Sequence, residues 1–241
     1  MSYLLEKHKE TGATISTCKY FFETKKESEN KLPEKQEEVR QYSGVEELGS
    51  AYYQDRLLGT ASWGKLFKQG SLDGFRFPAD RCYEDWQLIS WIILKGTKVV
   101  CSSKKLYHYR QRQSSIVNSK TTQKKALDNW IARKDRYDTM GKLLPGYTEQ
   151  LVYDCNMGII QCLLSFKEID EIYKKYLFEM SDFIDQNEKY IGIGKYTNKE
   201  KRLLRIARYR MPLLWKSISR LHDWYEVALM RNRRQMHILY P

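Results

Sequence analysis

Long apolar runs are missing from this chain of 241 residues. Crossing a bilayer as a helix takes about twenty consecutive apolar residues. The richest stretch, Leu88 to Leu94, is short and is broken by Ser90. The segment Met1 to Glu10 carries charges where a secretory signal has its apolar core, so a cytoplasmic protein is the reading. Cysteine is scarce and scattered. Cys18, Cys82, Cys101, Cys155 and Cys162 are odd in number and form no C-x-x-C pair, and no H-E-x-x-H or Cys/His cluster accompanies them. A disulfide framework and a zinc site are thereby excluded, and reduced, mostly buried thiols remain. Proline is equally rare, with five residues, whereas eighteen tyrosines and six tryptophans exclude a disordered chain.

What the chain has in excess is positive charge, +12 overall. Its location is informative: between Lys195 and Arg234 there are twelve Lys/Arg against only Glu200, Asp223 and Glu226. A basic end indicates a local attachment surface rather than a general polyanion partner. No recognition-helix, zinc-finger or RNA-binding signature accompanies it, which sets nucleic acid aside. Leu204, Ala207, Met211, Leu214, Ile218 and Leu221 recur at steps of three and four, while Arg202, Arg205, Arg208, Lys216 and Arg220 fall largely elsewhere on the wheel. Pro212 is predicted to break or kink this helix. Two readings stay open: a helix packed on its own domain with a solvated basic face, or one lying on anionic lipid through residues 199–241.

The patterning divides the chain at about residue 120. Before it the sequence predicts a helix over Ser2 to Thr11 and a strand over Thr14 to Phe22, then a charged loop from Glu23 to Arg40. Ser43-Gly-Val-Glu46 fits a capping box opening a helix to about Leu57. A further helix over Ser62 to Gln69, a turn at Asp73-Gly74, a helix over Asp85 to Lys95 ended by Gly96, and two strands, Thr97 to Ser102 and Leu106 to Arg110, complete this part. Beyond it Trp130, Leu143, Leu144, Leu151, Met157, Ile160, Leu163, Ile172, Tyr176 and Phe183 recur at helical spacing, with breaks at Pro145-Gly146 and Asn187 to Thr197. The fold class read from this is α/β over residues 1–119 followed by an all-helical region over 120–241.

The informative block runs from Ser62 to Ile116. It contains S-W-G-K-L-F at Ser62 to Phe67, F-R-F-P at Phe75 to Pro78, Y-E-D-W at Tyr83 to Trp86, and L-Y-H-Y-R-Q-R-Q-S-S-I from Leu106. In these four motifs, their order and their spacing, the chain resembles family 2 glycosyltransferases of the GT-A fold, of the kind that build bacterial surface polysaccharides. The resemblance covers Ser2 to about Ser119 and extends only loosely into the helical region. It implies transfer of a sugar from a nucleotide-sugar donor to a saccharide or lipid-linked saccharide acceptor, by an inverting route.

The resemblance makes Asp85 the general base and Glu84 its neighbour at the acceptor. Attack from the face opposite the leaving diphosphate needs a carboxylate to take the acceptor hydroxyl's proton as the bond forms, with the acceptor held in line. An aspartate before an apolar helix is also an ordinary N-cap, worth about 1 kcal/mol. Lys65 belongs to the same acceptor-side block. Trp63 and Trp86 are either core or a stacking surface for a sugar ring. Strand alternation sends Tyr107 and Tyr109 to one face and His108 and Arg110 to the other. His108, Arg110 and Arg112 are either an exposed polar face or partners for a diphosphate. Gly64 stands where the family often has a polar residue. The family also binds a divalent cation, Mg or Mn, through a D-x-D or D-D motif. That motif and the nucleotide-binding strands should precede the segment that resembles Met1 to Glu10, and Asp182-Phe-Ile-Asp185 does not replace them. The expectation is therefore an acceptor-side half, truncated or split and inactive alone. The rival readings are a non-catalytic acceptor-binding or partner-binding remnant, and a basic membrane-surface adaptor.

Overall fold

The structure, a computed structural model, describes residues 2–23, 37–110, 121–192 and 195–239; for 22–23 and 227–239 only the backbone is described. Arg112 and the serines of the last motif lie outside the described residues. The chain divides into two compact units, one of residues 1–120 and 135–148, the other of 121–134 and 149–241.

The first unit is built on a four-stranded mixed sheet. Helix α1 (Ser2–Thr11) and strand β1 (Ile15–Glu23) fall where the periodicity predicts them. Strand β2 (Val39–Tyr42) lies in what the sequence presents as a charged loop. Among the described residues it pairs with β4 alone, and three of its four side chains are exposed, so no apolar alternation announces it. Helix α2 (Val45–Tyr53) starts without the expected capping box: Gly44, at φ 80°, occupies the N-cap position, and Glu47 rather than Glu46 accepts from the Ser43 N–H at 2.7 Å. It also stops before Leu57, because the amides of Leu57 and Leu58 turn back onto the Ala51 carbonyl.

The segment predicted as a helix over Ser62 to Gln69 is instead strand β3 (Lys65–Phe67), antiparallel to β1 with Thr17 opposite Lys65. Gly64 explains the change. Its φ of +69° is a left-handed conformation that a helix interior does not tolerate. Its carbonyl accepts from the Cys18 N–H at 3.0 Å, tying the start of β3 to β1. Gly64 is thus a backbone requirement of this chain.

Helix α3 (Asp85–Lys95) ends as predicted, with Gly96 left-handed at φ 58°. Its Leu88, Ile89, Ile92 and Ile93 are buried, and each contributes about 1.5–3 kcal/mol of apolar burial. Strand β4 (Val99–Arg110) is one continuous strand where two were expected. The sheet order is β2-β4-β1-β3, with β4 parallel to β1 and antiparallel to β2. Across its polar middle β4 changes support: Ser102 pairs with Val39 of β2 and the Ser103 N–H donates to the Glu38 carbonyl at 2.9 Å, and pairing with β1 resumes at Lys105. The β1–β4 register slips between Thr17 and Tyr20, and beyond that slip both strands leave the core: Val99 to Ser102 are buried, while Lys104 to Leu106 are exposed.

The second unit is helical. Helix α4 (Gln123–Met140) runs across the division of the chain, followed by α5 (Thr148–Ser165), α6 (Glu171–Gln186), the single turn α7 (Glu188–Ile191), α8 (Asn198–Ala207) and α9 (Pro212–Leu239). Its core is formed by Trp130, Val152, Cys155, Ile159, Leu163, Phe166, Leu177, Met180, Leu204 and Trp215. Gly158 permits the closest approach of α5 to α4: a Cβ there would lie 3.1 Å from the Trp130 Cα and from Arg133 Cδ. The predicted break at Pro212 separates two helices, and Pro212 opens the second, where its missing N–H is not needed. Helix α8 begins with a full capping box between Thr197 and Glu200. Among the described residues no helix is long and apolar enough to cross a membrane.

Candidate active site

Asp85 is the first helical residue of α3, and Glu84 before it is the N-cap. Glu84 makes no side-chain capping bond, its backbone already being helical at φ −59° and ψ −29°. The residue before the pair, Tyr83, has φ 65°. A bulky residue in the left-handed region costs roughly 1–3 kcal/mol and persists only where its surroundings enforce it. The Glu84–Asp85 corner is therefore held in place against local preference. Glu84 is exposed and Asp85 half-buried.

Burial is the main reason that the Asp85 carboxyl titrates above the usual aspartate range, and the neighbouring Glu84 charge adds to it. Lys65 and the backbone N–H of Trp86 act in the opposite sense without cancelling the rise. Lys65 feels the same environment with the opposite consequence. Burial lowers its ammonium to about 8, with Cys101 and Asp85 opposing that fall. The Lys65 Nζ donates to the carbonyl of Gly59 at 2.9 Å and to that of Ala61 at 2.5 Å. Two residues that the sequence places twenty positions apart are thus electrostatic neighbours, a desolvated acid beside a desolvated base.

The remaining candidates separate into three groups. Trp63 sits in an aromatic cluster formed where β1 and β4 leave the core, at the C-terminal end of the parallel pair. It stacks on Tyr107 at 4.6 Å between ring centroids, with Tyr109 at 5.1 Å and the edge of Tyr20 at 4.8 Å. Carboxyl ends of parallel strands are where open α/β sheets place ligands. His108 and Arg110 are exposed on the other face of β4, as alternation requires, and His108 meets Phe21 there at 3.9 Å. Trp86 faces neither group. It contacts Tyr83 and carries the Arg136 guanidinium 4.8 Å from its ring centroid. Arg136 is buried and also donates to the Tyr52 hydroxyl at 2.5 Å, so it is a cation accommodated by two rings.

Arg136 and its neighbour Asp135 had no sequence signal, because they reach the first unit from the end of a helix that begins in the second. Asp135 accepts from Gln87 at 2.7 Å and from Arg81 at 3.3 Å. With Phe75, Arg76, Trp91 and Thr139 they border a cleft of about 590 Å³ along one face of α3. Asp85 is not among its lining residues.

Among the described residues no group of three or more His, Cys, Asp or Glu could hold a metal ion. The Glu84–Asp85 pair does not fit a divalent cation either: one carboxyl is exposed, and the other is desolvated beside the Lys65 ammonium. What the arrangement can do is exchange a proton at a half-buried carboxyl. No protein-family model matches the chain, and a search of characterised proteins finds no significant relative.

Proposed function

We propose that the first unit is the acceptor side of a glycosyltransferase of the family 2 type and that Asp85 is its base. The observation that carries this reading is the environment of Asp85: a half-buried carboxyl, raised by desolvation, flanked by Glu84 and coupled to Lys65. A carboxylate whose basicity is raised takes a proton more effectively from an acceptor hydroxyl as the new bond develops. Backbone N–H donation to the carboxyl and the Lys65 charge oppose that rise. Glu84, exposed beside it, is positioned to hydrogen-bond a saccharide hydroxyl. The aromatic cluster around Trp63 offers Tyr20 as its exposed edge. The nucleotide sugar and its divalent cation belong to a donor side supplied by residues other than those described, and no step is assigned to them.

The test is transfer from a labelled nucleotide sugar to a saccharide acceptor by the assembled enzyme carrying Asp85→Asn. The loss expected is about 10²–10⁴-fold in kcat, with the acceptor KM changed little because the amide keeps the shape of the carboxyl. Activity within a factor of two of the parent rules Asp85 out as base. Saccharide binding that persists without transfer in either protein identifies a non-catalytic acceptor-binding module instead.

A further inference from the structure

The outer face of α9 carries apolar side chains that its own unit leaves uncovered. Trp215 and Ser219 are fully buried and define the inner face of the helix. Leu213, Leu221 and Trp224 lie on the opposite side of the wheel, and they are 77%, 62% and 71% exposed. Arg220 sits beside them, 4.0 Å from the exposed Glu168. No carboxylate of α9 itself lies there, since Asp223 is bonded to Lys167 and Glu226 falls on the inner side of the wheel. The chain leading into α9 exposes Tyr209 and Met211 as well.

The preceding helix supplies charge. The solvent face of α8 is Lys199, Arg202 and Arg205, all exposed, while its one carboxylate, Glu200, is engaged in the capping box. Arg208 and Arg210 are already satisfied, the first by Asp185 and Glu188, the second by Asp182. With Arg220 beside the Glu168 carboxylate, the basic surplus left for a partner is Lys199, Arg202 and Arg205. A helix packed on a soluble domain turns polar residues outward; α9 turns leucine and tryptophan outward, accompanied by arginine.

We infer that the α8–α9 surface seats on an anionic lipid bilayer. Leu213, Leu221 and Trp224 enter the boundary between headgroups and acyl chains, and Lys199, Arg202 and Arg205 meet lipid phosphates. Charge complementarity selects this occupant. A second copy of the chain, docked on the same patch by a two-fold axis, brings the α8 cations of one chain against those of the other, and the one carboxylate of α8, Glu200, is held in its capping box. A bilayer surface accepts apolar side chains and supplies negative charge in one plane. This inference is independent of the role given to Asp85.

The experiment is co-sedimentation of the full chain with phosphatidylcholine vesicles, with and without phosphatidylserine, at low and high salt. The parent sediments with the anionic vesicles at low salt, and salt weakens it. Replacing Leu213, Leu221 and Trp224 together by serine lowers the partition coefficient at least about a hundredfold. Replacing Lys199, Arg202 and Arg205 by glutamine costs about fivefold for each cation removed, on anionic vesicles alone. Both variants change exposed positions, and retention of the parent's circular dichroism and Tm shows that they fold. Absence of sedimentation with anionic vesicles overturns the proposal, as does binding that survives the serine variant. A concentration-dependent dimer in the ultracentrifuge, abolished by the serine variant and with no affinity for vesicles, assigns the patch to a second copy instead.

Discussion

Lys65→Met isolates the electrostatics of the candidate site, because it removes the ammonium and keeps a chain of similar length. In the folded protein burial lowers this ammonium from its ordinary 10.5 to about 8. That difference corresponds to roughly 3 kcal/mol by which folding disfavours the charged form. The same ammonium donates to the Gly59 and Ala61 carbonyls, and losing both bonds costs about 1 kcal/mol each where water does not replace them. Gly59 is exposed, so its carbonyl is rehydrated and only part of that cost is felt. At pH 7 the variant is therefore more stable than the parent, by about 1–2 kcal/mol.

The sign of the pH dependence follows from the lowered value. Below about 8 both folded and unfolded Lys65 hold the proton, and the gap between the two proteins is constant. Between about 8 and 10.5 the unfolded chain binds more proton than the folded one, so the parent gains stability with pH and the variant does not. The variant's advantage disappears over that window and reverses by its upper end. Cys101 acts oppositely: burial raises its thiol to about 12, so its contribution is present below 9 and is lost as pH rises. Both proteins carry Cys101, and without the Lys65 charge, which holds that thiol down, it is raised further, so its contribution moves the gap in the same direction at the alkaline end. Urea unfolding followed by near-ultraviolet dichroism, which reports the Trp63–Tyr107 stack, supplies the measurement at pH 7, 8, 9 and 10. A gap between parent and variant that does not change across this range refutes the claim that Lys65 is desolvated. With it would go the argument that Lys65 and Asp85 shape each other's titration.

Gly158→Ala places a methyl group 3.1 Å from the Trp130 Cα and Arg133 Cδ. The backbone atom belongs to a packed helix, so the variant is destabilised by about 1 kcal/mol despite alanine's higher helix propensity; an unchanged or raised Tm shows that α4 and α5 have room to part. Thr197→Ala removes the Oγ1 that accepts from the Glu200 N–H at 3.2 Å, leaving the bond from the Thr197 N–H to Glu200, and costs about 1 kcal/mol. Its Tm falls accordingly, and a shift below one degree shows that the box is not formed in solution.

The parts of the candidate site that were legible in the sequence are those decided locally. The apolar run after Asp85 forms its helix as the pattern indicates, and Gly96 stops that helix because a left-handed residue is needed there. Alternation along β4 placed Tyr107 and Tyr109 opposite His108 and Arg110, and the sheet keeps that arrangement. The parts that were not legible are those decided by a distant partner. Lys65-Leu-Phe has no period of its own, and its strand exists because Thr17 and Ile15 lie beside it. Strand β2 has almost no buried face, and β4 continues through Ser102 to Lys105 because β2 and Glu38 hold Ser102 and Ser103 and β1 takes over at Lys105. The same distinction governs the chemistry. Local pattern selects Asp85 as a carboxylate at a helix start, which describes an unremarkable acid. The property that makes it a credible base is desolvation beside Lys65, and that arises only when β3 and the start of α3 are brought together. A motif therefore names the residue, while its basicity belongs to the tertiary structure. For that reason Lys65→Met tests the site more directly than removal of the carboxylate: it leaves every residue of the acidic motif in place and changes the field in which Asp85 titrates, the bonds lost at Gly59 and Ala61 being independent of pH below about 8.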